Sequence, residues 1–373
     1  MAPVGPNGVI GILGGGQLGR MLSLAAARLG ISTHIYCPEN AAPASAVAAF
    51  TTIGSYTDAA ALERFGGAVG VVTYEFENVP AQTVDILERA GVTVAPGAKA
   101  LAVAQDRLVE KQFIRSLGAN TAPFDAVNSA GELAAALERL GHPAILKTRR
   151  LGYDGKGQTL IRAERRPDAE RMWREATEKA WSEVGAQPSI LEALVDFDFE
   201  ISVIGARGRD GAMALYDPPH NEHGAGILRR STVPSPAPSA TVADAFAITQ
   251  KMLEALDYVG VIGVEFFVLK NGGLIVNEFA PRVHNSGHWT TDACAISQFE
   301  QHIRAVAGWP LGSTARHSDA VMENLIGDEI NSWETHARRA GTCVHLYGKR
   351  DGAPGRKMGH ITRITASRQR PPG

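Results

Sequence analysis

The feature that most narrows what this chain can become is a hairpin with an acid on each strand, over residues 264–279. Residues 264–270 read as a strand rich in Phe and Val, Asn271-Gly272 as the turn, and 274–279 as the returning strand. With Asn271 and Gly272 as a two-residue loop, Lys270 faces Gly273, and counting inward sets Glu265 opposite Glu278. Such neighbours lie about 4.5–5.5 Å apart at Cβ. The face they share is otherwise apolar, with Phe267, Leu269, Leu274 and Val276. Two carboxylates that close repel by roughly 4 kcal/mol at an effective dielectric of about 20. They call for a shared proton, a basic partner or a divalent cation. A surface hairpin with both acids in water is the plain alternative. We read a metal site, because Arg282, His284, Asn285, Ser286 and His288 crowd the loop just beyond the second strand.

The rest of the chain must build a frame for that hairpin. Its 373 residues suit two or three domains, and 45% hydrophobic with 20% charged residues is an ordinary globular balance. A net charge of −2 gives no electrostatic footprint for nucleic acid or an anionic membrane, so neither is expected as a partner. Cys37, Cys294 and Cys343 lack metal-ligand spacing and read as free thiols of a reducing compartment. With no signal-peptide pattern in MAPVGPNG and no apolar run of spanning length, the expected location is cytoplasmic.

Residues 9–13 read as a buried strand running into Gly14-Gly15-Gly16-Gln17-Leu18-Gly19, then a helix over 18–29 and a strand over 32–36. This β–glycine loop–α–β unit fits G-x-G-x-x-G and offers free N–H groups at a helix N-terminus. Glu39 follows Gly19 by 20 residues, where a dinucleotide fold keeps its ribose-binding acid, so an NAD(P)-dependent oxidoreductase is a live reading. Glycines that merely let helix and strand pack closely are another. A strand over 69–74 ends in Glu75 and Glu77, placed near the loop because ligands collect at strand carboxyl ends. Another short strand is expected over 92–95, and one long helix over 98–117.

A smaller unit begins at residue 119. Its strand AILK delivers Lys147 beside Arg149 and Arg150, ahead of Gly152-Tyr153-Asp154-Gly155-Lys156-Gly157-Gln158. That glycine-rich turn lacks the Lys-Ser/Thr of a Walker loop, but it can close over phosphate oxygens. His220 and His223 have no cysteine or third histidine to complete a zinc set. The expected division is 1–118, an α/β domain; 119–191, a small lid domain; and 192–373, the domain with the hairpin.

Lys147, the GYDGKGQ loop, residues 192–195, Glu200 and the Glu265/Glu278 hairpin together resemble the ATP-grasp superfamily. Within it the chain is similar to the N5-carboxyaminoimidazole ribonucleotide synthetases of purine biosynthesis. GGGQLGRML, HNEHGAGILR, NEFAPRVHNSGHWT and ISQFE carry the likeness, which spans residues 9–365. The fold class implied is α/β and α+β, an ATP-grasp architecture behind an N-terminal open parallel, Rossmann-like domain. The Asn that many ATP-grasp enzymes carry two residues after the second metal-binding Glu is Ala280 here, as in the purine subfamilies. After Gly359-His360-Ile361-Thr362 the chain runs into a polar SRQRPPG tail.

The resemblance implies ATP-dependent carboxylation of 5-aminoimidazole ribonucleotide by bicarbonate through carboxyphosphate, in a homodimer. Arg107 and Lys147 would contact phosphates, and Gly152, Tyr153, Asp154, Gly155, Lys156, Gly157 and Gln158 would form a lid. Glu192, Ala193, Leu194 and Val195 would line the adenine, Glu200 would hold the ribose, and His223 and Asn277 would reach the nucleotide. Glu265 and Glu278 would hold magnesium, with manganese as a substitute. Gly16, Gln17 and Leu18 remain as a spare anion site for the ribonucleotide, assisted by Lys349, Arg356 and Lys357. Glu75, Tyr153, Asp154, Arg282, His284, Asn285 and Ser286 would surround the imidazole and bicarbonate, with Tyr153, Asp154, Arg282 and His284 as the catalytic set. A formate-dependent glycinamide ribonucleotide transformylase is the neighbouring alternative, and a non-catalytic nucleotide-binding module the plainest one.

Overall fold

A computed structural model describes residues 2–152, 156–162, 170–350 and 352–367. Three sheets order the chain. The first is parallel, with β1 (Val9–Leu13), β2 (Ser32–Cys37), β3 (Phe50–Ile53) and β4 (Val71–Tyr74) in the order β3-β2-β1-β4. Strands β1 and β4 are almost wholly buried, as their unbroken apolar runs require. The edge strand β3 was not legible in advance, for its FTTI is exposed. The expected strand at 92–95 reduces to a single bridge between Val72 and Val94.

The second sheet is antiparallel, with β5 (Phe124–Val127), β6 (Ala144–Thr148), β7 (Gln158–Ile161) and β8 (Ser189–Ala193) in the order β5-β8-β6-β7. The third has nine strands among the described residues: β9 (Phe199–Arg207), β10 (Met213–Leu215), β11 (His220–Gly224), β12 (Ile227–Val233), β13 (Gly260–Val268), β14 (Leu274–Ala280), β15 (Ser318–Ile326), β16 (Thr342–Leu346) and β17 (Lys357–Ala366). Its order is β14-β13-β9-β11-β12-β15-β17-β16, with β10 on β9. Helices Gln17–Arg28 and Gln298–Ala307 pack together in the core between the first and third sheets. Among the described residues, no helix is long and apolar enough to cross a membrane.

Two local expectations are corrected. The helix expected over 98–117 is two helices, Ala98–Ala104 and Arg107–Ser116. Asp106 breaks it: its backbone is extended and its carboxylate caps the second helix by accepting from Leu108 N–H. The hairpin turn has three residues, not two. Leu269 N–H donates to Gly273 O at 2.8 Å, leaving Lys270, Asn271 and Gly272 as the loop, with Gly272 at φ +81.

The register at the turn is therefore one residue from the expected one, pairing Val268 with Leu274 and Phe266 with Val276. Leu274 and Val276 pack in the core with Phe266 and Val268, not on the Glu265 face. A bulge then restores the expected register, so that Val264 pairs with Phe279. Asn277 and Glu278 together oppose Glu265, and all three line one cavity.

Candidate active site

A cavity of about 520 Å³ opens where the three sheets meet. The parallel sheet contributes Gly16, Gln17, Leu18 and Glu75; the second sheet, Lys147 and Gln158; the third, Glu200, His223, Glu265, Asn277 and Glu278. Arg107 and Gly152 line one flank, and Arg282, His284, Asn285 and Lys357 another.

The cationic flank is built on the helix Arg107–Ser116. Arg107, Glu110 and Lys111 recur at helical spacing on the face that an ordinary amphipathic helix would keep apolar. Arg107 donates to Glu278 at 2.6 Å. Lys111, 1% exposed, donates to Asn277 O at 2.7 Å and lies 3.1 Å from Glu192. Glu192 also meets Lys147 at 3.2 Å, so one buried carboxylate oxygen serves two ammonium groups. Burial would raise the Glu192 carboxyl, but Lys147, Lys111 and Arg107 hold it down at about 2. Burial lowers the Lys147 ammonium, and Glu192 opposes that. Glu110 accepts from Phe279 N–H at 2.7 Å, and burial followed by the nearby Glu278 pushes it up to about 8. Neither Glu110 nor Lys111 was singled out from sequence; polar residues on an inward helix face were the available signal.

The two hairpin acids are treated differently. Glu278, 41% exposed toward the cavity, is held at about 2: burial opposes its charge, and Arg107, Lys147 and Lys111 prevail. Glu265 is pushed up to about 7 by burial and then by Glu278. Of the compensations that such a pair calls for, Arg107 supplies a basic partner to one acid, Glu278. Glu265 instead shares space with Glu200 and His223, whose ligand atoms and its own lie within 4.8 Å of one another. His223 Nδ1 is 2.9 Å from Glu200.

At the opposite flank, Arg282 pairs with both oxygens of Glu77 through its Nε and Nη2 edge, while Nη1 donates to Val283 O. Burial pushes the Glu77 carboxyl up, yet Arg282 holds it below its usual value. His284 Nε2 lies 3.4 Å from Glu265 Oε1. Its ring sits over Gly263, where a Cβ would come within 2.5 Å of His284 Cβ. Gln298 clamps the His284 backbone, accepting from its N–H at 2.9 Å and donating to its carbonyl at 2.7 Å. Burial, then Arg282 and Lys357, push the imidazole down to about 3, so it is neutral at physiological pH. Asn285 lines the cavity with both amide atoms buried and unpaired among the described residues, an arrangement that calls for a ligand.

Several expected residues lie elsewhere. Glu192, Ala193, Leu194 and Val195 do not line the cavity, and Glu192 is committed to its lysines. Lys156 and Gly157 are described but stand off it, as do Lys349 and Arg356; Lys349 donates to Lys357 O at 2.6 Å. Ser286 is fully buried behind His284. Tyr153, Asp154 and Gly155 lie outside the described residues.

The first glycine loop meets a carboxylate. Glu75 accepts hydrogen bonds from Gly16 N–H and, at 2.7 Å, from Gly19 N–H. A Cβ at Gly14 would stand 2.4 Å from Glu75 Cγ, and one at Gly16 2.6 Å from Glu75 Oε1. The glycines thus admit a carboxylate, which takes the Gly16 and Gly19 N–H groups. A dinucleotide pyrophosphate would meet that carboxylate head-on, so the oxidoreductase reading fails. Burial raises the Glu75 carboxyl above its usual value.

A cationic flank facing carboxylates across a cleft between an antiparallel lid sheet and a large antiparallel sheet defines the class: this is an ATP-grasp enzyme, an ATP-dependent ligase. The ATP-grasp domain model matches residues 112–299, the ribonucleotide synthetase preATP-grasp domain 8–105, and the phosphoribosylaminoimidazole carboxylase C-terminal domain 320–370. The N5-carboxyaminoimidazole ribonucleotide synthase of Brucella melitensis is 51% identical over 359 residues, 96% of this chain and 97% of its own. The chain belongs to the N5-carboxyaminoimidazole ribonucleotide synthase family.

Solved structures agree. The synthetase from Thermus thermophilus superposes with a TM-score of 0.86 at 45% identity, covering 95% of this chain and 93% of that one. The Aspergillus clavatus enzyme, in complex with ADP and 5-aminoimidazole ribonucleotide, gives 0.88 at 29% identity, covering 97% and 94%.

Proposed function

We propose that this chain joins bicarbonate to the exocyclic amine of 5-aminoimidazole ribonucleotide at the expense of ATP, releasing ADP and phosphate. The observation that carries this reading is the continuous cavity that couples the Arg107/Lys147 flank to the Arg282/His284/Asn285/Lys357 flank. One end has the charge for a triphosphate; the other has donors and an unpaired amide for a planar, oxygen-rich substrate.

Bicarbonate oxygen attacks the γ-phosphorus, the bond to the β-bridging oxygen breaks, and ADP leaves. The amine nitrogen of the ribonucleotide then attacks the carboxyl carbon of carboxyphosphate. The carbon–oxygen bond to phosphate breaks, and the nitrogen gives up its proton. Lys147 and Arg107 hold phosphate oxygens in line, so that catalysis rests on position and charge and not on a covalent enzyme intermediate. Arg282, fixed by Glu77, presents its charge to the carboxylate being transferred. Lys357, with Lys349 bonded to its backbone carbonyl, supports the 5′-phosphate, and the Glu75-filled loop with Gln17 and Leu18 shapes the ribose end.

Glu265 and Glu278 fit a divalent cation such as magnesium: both offer hard oxygen donors, and Glu265 is a part-buried acid pushed up by burial and by Glu278, a strain that a cation would relieve. Bound there, the ion would neutralise charge on phosphate oxygens. A homodimer and a cytoplasmic location go with the family reading, and the three free cysteines fit the latter. We also keep the domain limits 1–118, 119–191 and 192–373 as a proposal, with limited proteolysis as the check.

The test is phosphate release with each substrate omitted in turn. Release must depend on both bicarbonate and the aminoimidazole ribonucleotide. Full release with formate and glycinamide ribonucleotide instead would assign the chain to the transformylase reaction.

A further inference from the structure

Behind the site runs a chain of buried hydroxyl and amide groups that the carboxylation reading does not use. Ser231, Asn221, Ser202 and Ser286 are all at most 3% exposed. Ser231 Oγ donates to Asn221 Oδ1 at 2.7 Å, and Asn221 Nδ2 donates to Ser202 Oγ at 2.9 Å. Ser202 Oγ donates to Ser286 Oγ at 2.6 Å, and Ser286 Oγ meets His284 Nδ1 at 2.8 Å. Four side chains from β9, β11, β12 and the loop after β14 thus converge on one ring nitrogen.

The direction of this chain is fixed at its end. Ser286 N–H also points at His284 Nδ1, at 3.4 Å, and a backbone N–H can only donate. His284 Nδ1 must therefore carry a lone pair, and the Ser286 hydroxyl donates to it. Ser286 Oγ then accepts from Ser202, and Ser202 from the Asn221 amide. Asn221 Oδ1 is left as acceptor for Ser231. Every link agrees with a single orientation of the Asn221 amide. The ring proton is consequently on Nε2, the nitrogen that faces Glu265 and the cavity.

We infer that Asn221, acting through Ser202 and Ser286, is a positioning residue that holds His284 as the Nε2–H tautomer, so that the ring serves the reaction as a neutral hydrogen-bond donor and not as a base. A donor there suits an oxygen of bicarbonate or of the carboxyl group in transfer, where negative charge builds. Gly263 beneath the ring and Gln298 on its backbone fix where that donor points. The kinetic part of this inference rests on the carboxylation reading; the tautomer does not.

The first measurement is a long-range ¹H–¹⁵N spectrum of the wild-type protein labelled with ¹⁵N-histidine, with the His284 signals assigned by their loss in His284→Gln. It needs no substrate, so it stands even if the reaction has been misread. Protonated Nε2 and bare Nδ1 are expected; protonated Nδ1 overturns the inference. The second is Asn221→Asp, which keeps the shape but can only accept. Ser202 must then turn its hydroxyl toward the carboxylate, and the chain reverses. The expected result is a shift of the His284 signals toward Nδ1–H with kcat down about 100-fold, the loss typical of one removed donor, and little change in the KM for ATP. Should a buried Asp prevent folding, Ser202→Ala breaks the chain with a small apolar side chain, and kcat should fall by about tenfold or more as the tautomers mix. A folded variant of either kind with wild-type kcat and an unchanged ring signal refutes the positioning role.

Discussion

Replacing Glu192 by Gln removes one charge from a buried cluster of three, and the consequence can be worked in two ways. The Glu192 carboxyl, 4% exposed, is held at about 2 against an ordinary 4.5. A carboxyl depressed by that much contributes about 3 kcal/mol of stability above pH 4.5, at about 1.4 kcal/mol per unit. Because the folded value lies below the unfolded one, this stability is lost as pH falls from 4.5 toward 2. Independently, removing one partner of a buried ion pair costs about 3–5 kcal/mol, since the remaining charge stays buried and unpaired. Here two charges remain, Lys111 and Lys147. Urea unfolding of Glu192→Gln at pH 7 should therefore show a loss of about 3 kcal/mol, narrowing by roughly 1 kcal/mol at pH 4. The KM for ATP should rise as well, because Lys147 loses the carboxylate that holds it at the phosphates. A variant with the wild-type urea midpoint and altered preference between ATP and GTP would refute this, and would return Glu192 to the adenine-contacting role expected from sequence.

Glu278→Ala should lower kcat for phosphate release at saturating magnesium by about 10²–10³ or more. It should also lower thermal stability, because Arg107 loses its 2.6 Å partner, and a variant as stable as wild type would deny that pairing. Lys357→Ala should raise the KM for the ribonucleotide more than about tenfold, as expected for a charged hydrogen bond of roughly 1.5–3 kcal/mol, with the KM for ATP unmoved. If the ATP constant rises instead, the two ends of the cavity have been assigned the wrong way round. Glu110 is pushed up to about 8 from 4.5, so the folded state holds an extra proton between those values and stability falls as pH rises through them. Glu110→Gln should thus gain on wild type by up to roughly 1.4 kcal/mol per pH unit between pH 5 and 8, read by urea unfolding; a gap independent of pH would show that Glu110 titrates normally.

How much of this was legible in the sequence follows from what each feature depends on. The β1–loop–helix unit, the two acids of the hairpin, Lys147 before its glycine turn and the HNSGH loop are local patterns of periodicity and turn chemistry, which neighbouring residues set. Together they fixed the class of fold and the family resemblance. The bulge at Asn277-Glu278 was not legible, because a one-residue slip is decided by which face packs on the core, and Val276 and Leu274 went inward with Phe266. Nor was the true tenant of the first glycine loop. Glu75 is 59 residues from Gly16, and only the pairing of β4 with β1 sets its carboxylate on those N–H groups. The same holds for Glu192, drawn onto two lysines, and for Asn221, whose serines come from three other segments. Residue order alone set which chemical groups were present and on which local elements they sat. The tertiary structure decided which charges meet, because burial strips away the water that would otherwise satisfy each group separately and makes every buried polar atom depend on a partner distant in the chain.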